Sequence, residues 1–130
     1  MASELNPELN KLSGTVVDAA IEVHRALGPG YLESVYEEAL AAELTLRKIP
    51  FERQKTISID YKGFSVGESR LDLLVASQLI VELKAVASLA PIHKAQVLSY
   101  LKATGYQIGL LINFNVVVLK NGIKRVIRTG

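Results

Sequence analysis

Apolar residues in the first part of the chain recur at steps of three and four. Leu9, Leu12, Val16, Val17, Ala20, Val23 and Leu27 share one side of a helical wheel, which predicts an amphipathic helix over residues 9–27. Asn6-Pro7 suits its start, and Gly28-Pro29-Gly30 suits its end. A second helix is expected from Tyr31 to Arg47, with Leu32, Val35, Tyr36, Leu40 and Leu44 toward the core. Ile49-Pro50 closes it, because the residue before a proline avoids the helical region.

Beyond Phe51 the period shortens to two. Thr56–Tyr61 alternates polar and apolar as a half-buried strand does, and Lys62-Gly63 offers a turn. A second strand is expected from Phe64 to Val75, with an irregularity or bulge at Gly67 and Ser69. Ala76-Ser77-Gln78 then turns the chain into a strand over Leu79–Ala85. Pro91 opens a third helix over Ile92–Thr104, which Gly105 ends. Gln107–Phe114 is short and apolar, as a strand buried on both faces should be. Val116–Lys120 and Ile123–Ile127, joined by Asn121-Gly122, are expected as a hairpin. The order α-α-β-β-β-α-β-β-β describes an α/β (α+β) domain on a mixed sheet flanked by helices.

The chain has 130 residues, enough for one domain, here residues 1–130 with 1–8 expected as a flexible N-terminus. Having no cysteine, it cannot use thiol catalysis, a Cys-based zinc site or an iron–sulfur cluster. His24 and His93 are its only histidines, too few for a three-histidine metal site. The first residues lack the basic and apolar regions of a secretory leader, and no apolar run approaches the ~20 residues of a membrane span. A soluble, cytoplasmic protein is expected. The net charge of +2 conceals an asymmetry: residues 1–82 hold 8 basic and 13 acidic side chains, whereas residues 83–130 hold 7 basic and none acidic. Such a segment either meets a polyanion or simply carries solvated Lys and Arg.

Three residues concentrate the candidate chemistry. Asp72 lies in an apolar strand, and Glu82 and Lys84, two apart on the next strand, project from one face. A turn centred on Ser77 would set Asp72 directly opposite Glu82. Facing carboxylates repel, and a hard divalent cation between them would relieve that repulsion. The alternative is a surface ion pair of Glu82 with Lys84, with Asp72 on the far face. Against it, Leu79–Ala85 has almost no other polar residue.

Asp72 followed by Glu82-Leu83-Lys84 resembles the D…(D/E)-x-K core of the PD-(D/E)XK nuclease superfamily. Gly30-Tyr31-Leu32-Glu33-Ser34-Val35-Tyr36 is similar to the signature of the GxxExxY protein family within it. Gln96-Val97-Leu98-Ser99-Tyr100 resembles the Q-x-x-x-Y element of the RecB-like and lambda-exonuclease-like branch. Leu71 stands where the superfamily's name pattern has proline.

The resemblance implies a PD-(D/E)XK nuclease-like fold and a metal-dependent nuclease acting on nucleic acid, DNA ahead of RNA. Asp72, Glu82, Glu33 and the Leu83 carbonyl would hold Mg²⁺ or Mn²⁺. Lys84 would orient or activate the attacking water or balance phosphate charge. Gln96 and Tyr100 would contact substrate, and His93 either joins them or caps its helix. His24 either favours its helix end or serves the site. Tyr36 reads as core or as a support for Glu33, and Glu37 and Glu38 as a solvated face. A second class of function remains open: a nucleic-acid-binding or self-assembling structural protein that keeps the fold without efficient catalysis. A mean hydropathy of +0.25 and the apolar edge of the last hairpin point to a homodimer or larger homo-oligomer, with no membrane partner.

Overall fold

Pro7 begins the first helix, where its missing N–H would have had no intrahelical partner in any case. The computed structural model describes residues 7–129. Of the N-terminus expected as flexible, residues 1–6 lie outside the described residues, and residues 7 and 8 belong to the first helix. Helices α1 (Pro7–Leu27) and α2 (Glu33–Leu46) precede strands β1 (Phe51–Tyr61), β2 (Phe64–Val75) and β3 (Leu79–Lys84). Helix α3 (Pro91–Thr104), strand β4 (Ile108–Asn113), a 3-10 turn (Leu119–Gly122) and strand β5 (Ile123–Ile127) complete the chain. The sheet order is β1-β2-β3-β4-β5. Only β3 and β4 run parallel, as expected of two strands joined by a crossover helix.

Helices cover both faces of this mixed sheet. Val16, Ala20, Leu40 and Leu44 from α1 and α2 pack against Leu73, Val81 and Leu110. Val97 and Leu101 from α3 pack on the opposite face against Leu74, Ile80 and Leu111. Gly109 permits the second contact: a Cβ there would lie 2.6 Å from Val97 Cγ1, so α3 presses onto bare backbone. Among the described residues no helix is long and apolar enough to cross a membrane.

Several expectations need correction. The buried stripe of α2 is Tyr36, Leu40, Ala41 and Leu44, while Leu32 is 76% and Val35 37% exposed. The helix begins only at Glu33, so Leu32 lies outside it and Val35 is turned away from the 36-40-44 line. β1 starts at Phe51, not Thr56. The irregularity in β2 is a bulge at Val66, next to Gly67: Ile59 pairs with Gly67 and Asp60 with Ser65.

The expected last hairpin does not form. Residues 115–118 bend, Leu119–Gly122 makes the 3-10 turn, and β5 pairs directly with β4. Gly122 packs against the Asn113 carbonyl so closely that a Cβ would collide with it, which draws Asn121-Gly122 into the turn. The sheet edge on this side is therefore β5, with β1 at the other, and β5 exposes Lys124 and Arg125, charged side chains that blunt an edge against pairing.

Candidate functional site

Asp72 is where the regular sheet fails. The β2–β3 pairing runs Val75–Leu79, Leu74–Ile80, Leu73–Val81 and stops. On the other side, the β1–β2 pairing joins Arg53 to Leu73 and Lys55 to Leu71 but passes over Gln54 and Asp72. Side-chain alternation breaks at the same place: Leu73 packs on the α1–α2 side, yet Leu71 joins Leu74 on the α3 side.

Side chains replace the missing ladder bonds. The Asp72 amide donates to Glu82 Oε2 at 2.7 Å, and the Leu83 amide donates to Asp72 Oδ2 at 2.8 Å. The two acids thus face each other in the register that a turn centred on Ser77 implies. Glu82 is only 4% exposed, so the surface ion pair with Asp72 on the far face is not what forms. Burial first, then the charge of Asp72, pushes the Glu82 carboxyl up to about 8. Burial also raises Asp72, although the Leu83 N–H and Lys84 oppose it.

Lys84 is half-buried, and its charge acts on Glu33, Asp72 and Glu82 together. Its main chain is anchored from β4, since Phe114 N donates to Lys84 O. Buried Asn113 then grips the departing chain, donating from Nδ2 to Val86 O and accepting Val86 N on Oδ1. Because Lys84 uses its carbonyl toward β4, Leu83 turns its own N–H and C=O toward β2, past the end of the paired stretch.

Glu33, exposed at the first turn of α2, stands within electrostatic range of Asp72 and Glu82. Partial desolvation and then the charge of Asp72 raise its carboxyl from the ordinary value, with Lys84 opposing. The loop before it is held by Tyr36, which is fully buried and stacks on Phe114 at 4.5 Å. Tyr36 Oη donates to Gly28 O at 2.6 Å and accepts from Tyr31 N at 3.2 Å.

Across the site, Tyr100 lies near Ser69 and within electrostatic range of Glu82 and Asp72, and burial raises its hydroxyl. Gln96 is exposed one turn earlier on α3. His93 caps that helix, its Nδ1 accepting from Ala90 N at 3.0 Å. His24 is 9% exposed and bonds Val116 O through Nε2 at 2.7 Å, tying α1 to the loop after β4.

Glu37 is not a solvated face. Its Oε2 accepts from Arg53 and its Oε1 from Gln54 Nε2, and its charge reaches Asp72. Neither Gln54 nor this role of Glu37 was read from the sequence. The available signal was Glu52-Arg53-Gln54-Lys55-Thr56, five polar residues in succession where a half-buried strand should alternate.

The donors present fit a hard divalent cation: two facing carboxylates, one of them buried and reluctant to ionise without a neighbouring positive charge, and a carbonyl directed to the same gap. Among the described residues no three acidic or histidine side chains converge as a ready metal cage, and Glu33 is the acid that stands back. A family model, that of the PD-(D/E)XK nuclease superfamily, matches residues 10–126. No curated protein and no solved structure matches the chain.

Proposed function

The chain belongs to the PD-(D/E)XK nuclease superfamily, and from that premise we propose that it hydrolyses phosphodiester bonds of nucleic acid, DNA ahead of RNA, with Mg²⁺ or Mn²⁺. The observation that carries this reading is the buried Asp72–Glu82 pair with Lys84 beside it. The GxxExxY family and the RecB-like branch are the finer placement, supported by Glu33 at the start of α2 and Tyr100 near the acids.

Asp72, Glu82 and the Leu83 carbonyl would hold the cation, with Glu33 closing on it or on a water between them. When bound, a divalent cation supplies Lewis acidity toward the phosphate and makes water a nucleophile at neutral pH. Lys84 shares a strand face with Glu82, so its ammonium can orient that water or balance the phosphate's charge. Tyr100, and Gln96 one turn before it, offer polar groups to a substrate phosphate. The acid-free segment from residue 83 onward would favour the polyanion's backbone. Self-association is a separate proposal. Its apolar candidates are Val117 and Val118, 87% and 55% exposed in the loop before the 3-10 turn, and light scattering tests it.

The test is incubation of the wild type with linear, circular and single-stranded DNA and with RNA, with Mg²⁺, Mn²⁺ or a chelator. Metal-dependent cutting supports the reading, and cutting of circles separates internal from end-directed cleavage. Salt-sensitive binding without cutting on any substrate would favour a binding protein that keeps the fold.

A further inference from the structure

Arg53 and Gln54 are consecutive in β1, and consecutive strand side chains point to opposite faces of a sheet. Here both reach one carboxylate on α2. Arg53 Nη2 donates to Glu37 Oε2 at 2.9 Å, and Gln54 Nε2 donates to Glu37 Oε1 at 2.8 Å. The backbone makes this possible, because Gln54 has φ 50°, in the left-handed region that disfavours any residue with a Cβ. The same twist explains why Phe51 packs on the α1–α2 side and Ile57, six residues on, packs on the α3 side. Such a conformation persists where the surroundings over-determine it, and it recurs at functional sites.

Gln54 also stands opposite Asp72, the residue that the pairing passes over together with it, and its side chain favours the charged form of that carboxyl. An ionised carboxylate only accepts, and Nε2 carries two N–H groups, so one amide nitrogen can serve both acids. We propose that Gln54 is a positioning residue, whose amide bridges Glu37 and Asp72 and fixes the Asp72 carboxylate from the β1 side while the Leu83 N–H fixes it from β3. The bridge runs from α2 through β1 and β2 to β3, linking the helix that bears Glu33 to the strand that bears Glu82 and Lys84. Its consequence for catalysis rests on the metal-nuclease reading; the bridge itself does not.

The test variant is Gln54→Gly, since glycine accepts φ 50° without penalty and removes only the amide. Two readouts apply: the Leu83 backbone amide signal in ¹H–¹⁵N spectra of metal-free protein, and calorimetric titration with Mn²⁺. The bridge predicts that the Leu83 signal moves and its hydrogen exchange quickens, and that the Mn²⁺ Kd weakens about tenfold, as loss of a ligand's supporting hydrogen bond commonly does. Glu37→Gln, whose side-chain carbonyl still accepts from Nε2, should perturb both readouts less. An unmoved Leu83 signal overturns the proposal, whatever the metal does. A wild type that binds no Mn²⁺ overturns the nuclease reading instead, while a shifted Leu83 signal still supports the bridge.

Discussion

Asp72 and Glu82 are interlocked through each other's strands: the Asp72 amide binds the Glu82 carboxylate, and the amide after Glu82 binds the Asp72 carboxylate. Each acid thereby has one oxygen held by backbone at 2.7–2.8 Å, and the two carboxyl groups are kept close in a largely buried place. Most of what can be tested about this protein follows from that arrangement.

The first consequence is a pH dependence of folding in metal-free protein. The folded Glu82 carboxyl titrates at about 8, whereas an unfolded glutamate titrates near ~4.3. The folded state therefore keeps a proton that the unfolded state releases, so stability is highest below the unfolded value and is lost as pH rises through about 8. The raised carboxyls of Asp72 and Glu33 act in the same direction. Urea midpoints measured at intervals from about pH 5 to about pH 8 should fall for the wild type and fall less for Glu82→Gln. Parallel curves for the two proteins would show that Glu82 is not the group responsible.

Lys84 and Glu82 should separate catalysis from metal binding. Lys84→Ala is expected to lower kcat by about 100- to 1,000-fold, the usual cost of removing one group that stabilises developing charge, while Mn²⁺ affinity is kept. Glu82→Ala should lose both cutting and Mn²⁺ affinity. Calorimetry beside the cleavage assay decides, and equal loss of Mn²⁺ binding in the two variants would remove the distinction.

Tyr36→Phe keeps the stack on Phe114 but removes the hydroxyl that serves Gly28 O and Tyr31 N. A loss of about 1–2 kcal/mol in unfolding free energy is expected from the abandoned backbone groups. The loop leading to Glu33 should also exchange its amides faster. A variant as stable as wild type would mean that this loop is held by other contacts.

Gly109→Ala tests how closely α3 must sit. The added Cβ falls 2.6 Å from Val97 Cγ1, and overpacking of this kind costs about 1–3 kcal/mol. Adding Val97→Ala should recover part of the loss, because it removes the methyl in the way. If the double variant is less stable by the sum of the two single losses, the contact is not the cause.

The residues most open to sequence reading were those governed by short-range geometry. The three-residue turn after Val75 sets the β2–β3 register, so Asp72 opposite Glu82 could be counted out from Ser77. Helix and strand periods likewise located seven of the elements to within a few residues, and β1 differed only in starting at Phe51. Tertiary contacts hid the rest. Asn121-Gly122 is a hairpin signal on its own, but the fit of Gly122 against the Asn113 carbonyl makes it a 3-10 turn. Gln54 gave no glycine to announce its left-handed φ, which goes with a tertiary side-chain bond to Glu37 and not with a local preference.

The central claim is that the Asp72–Glu82–Lys84 cluster cuts nucleic acid with a divalent cation. It is tested most directly by following Mn²⁺-dependent cleavage of DNA, linear and circular, with wild-type protein and with folded Lys84→Ala prepared identically. The account predicts cutting by the wild type that a chelator stops and that Lys84→Ala loses. Undiminished cutting by Lys84→Ala, or cutting that survives the chelator, would contradict it.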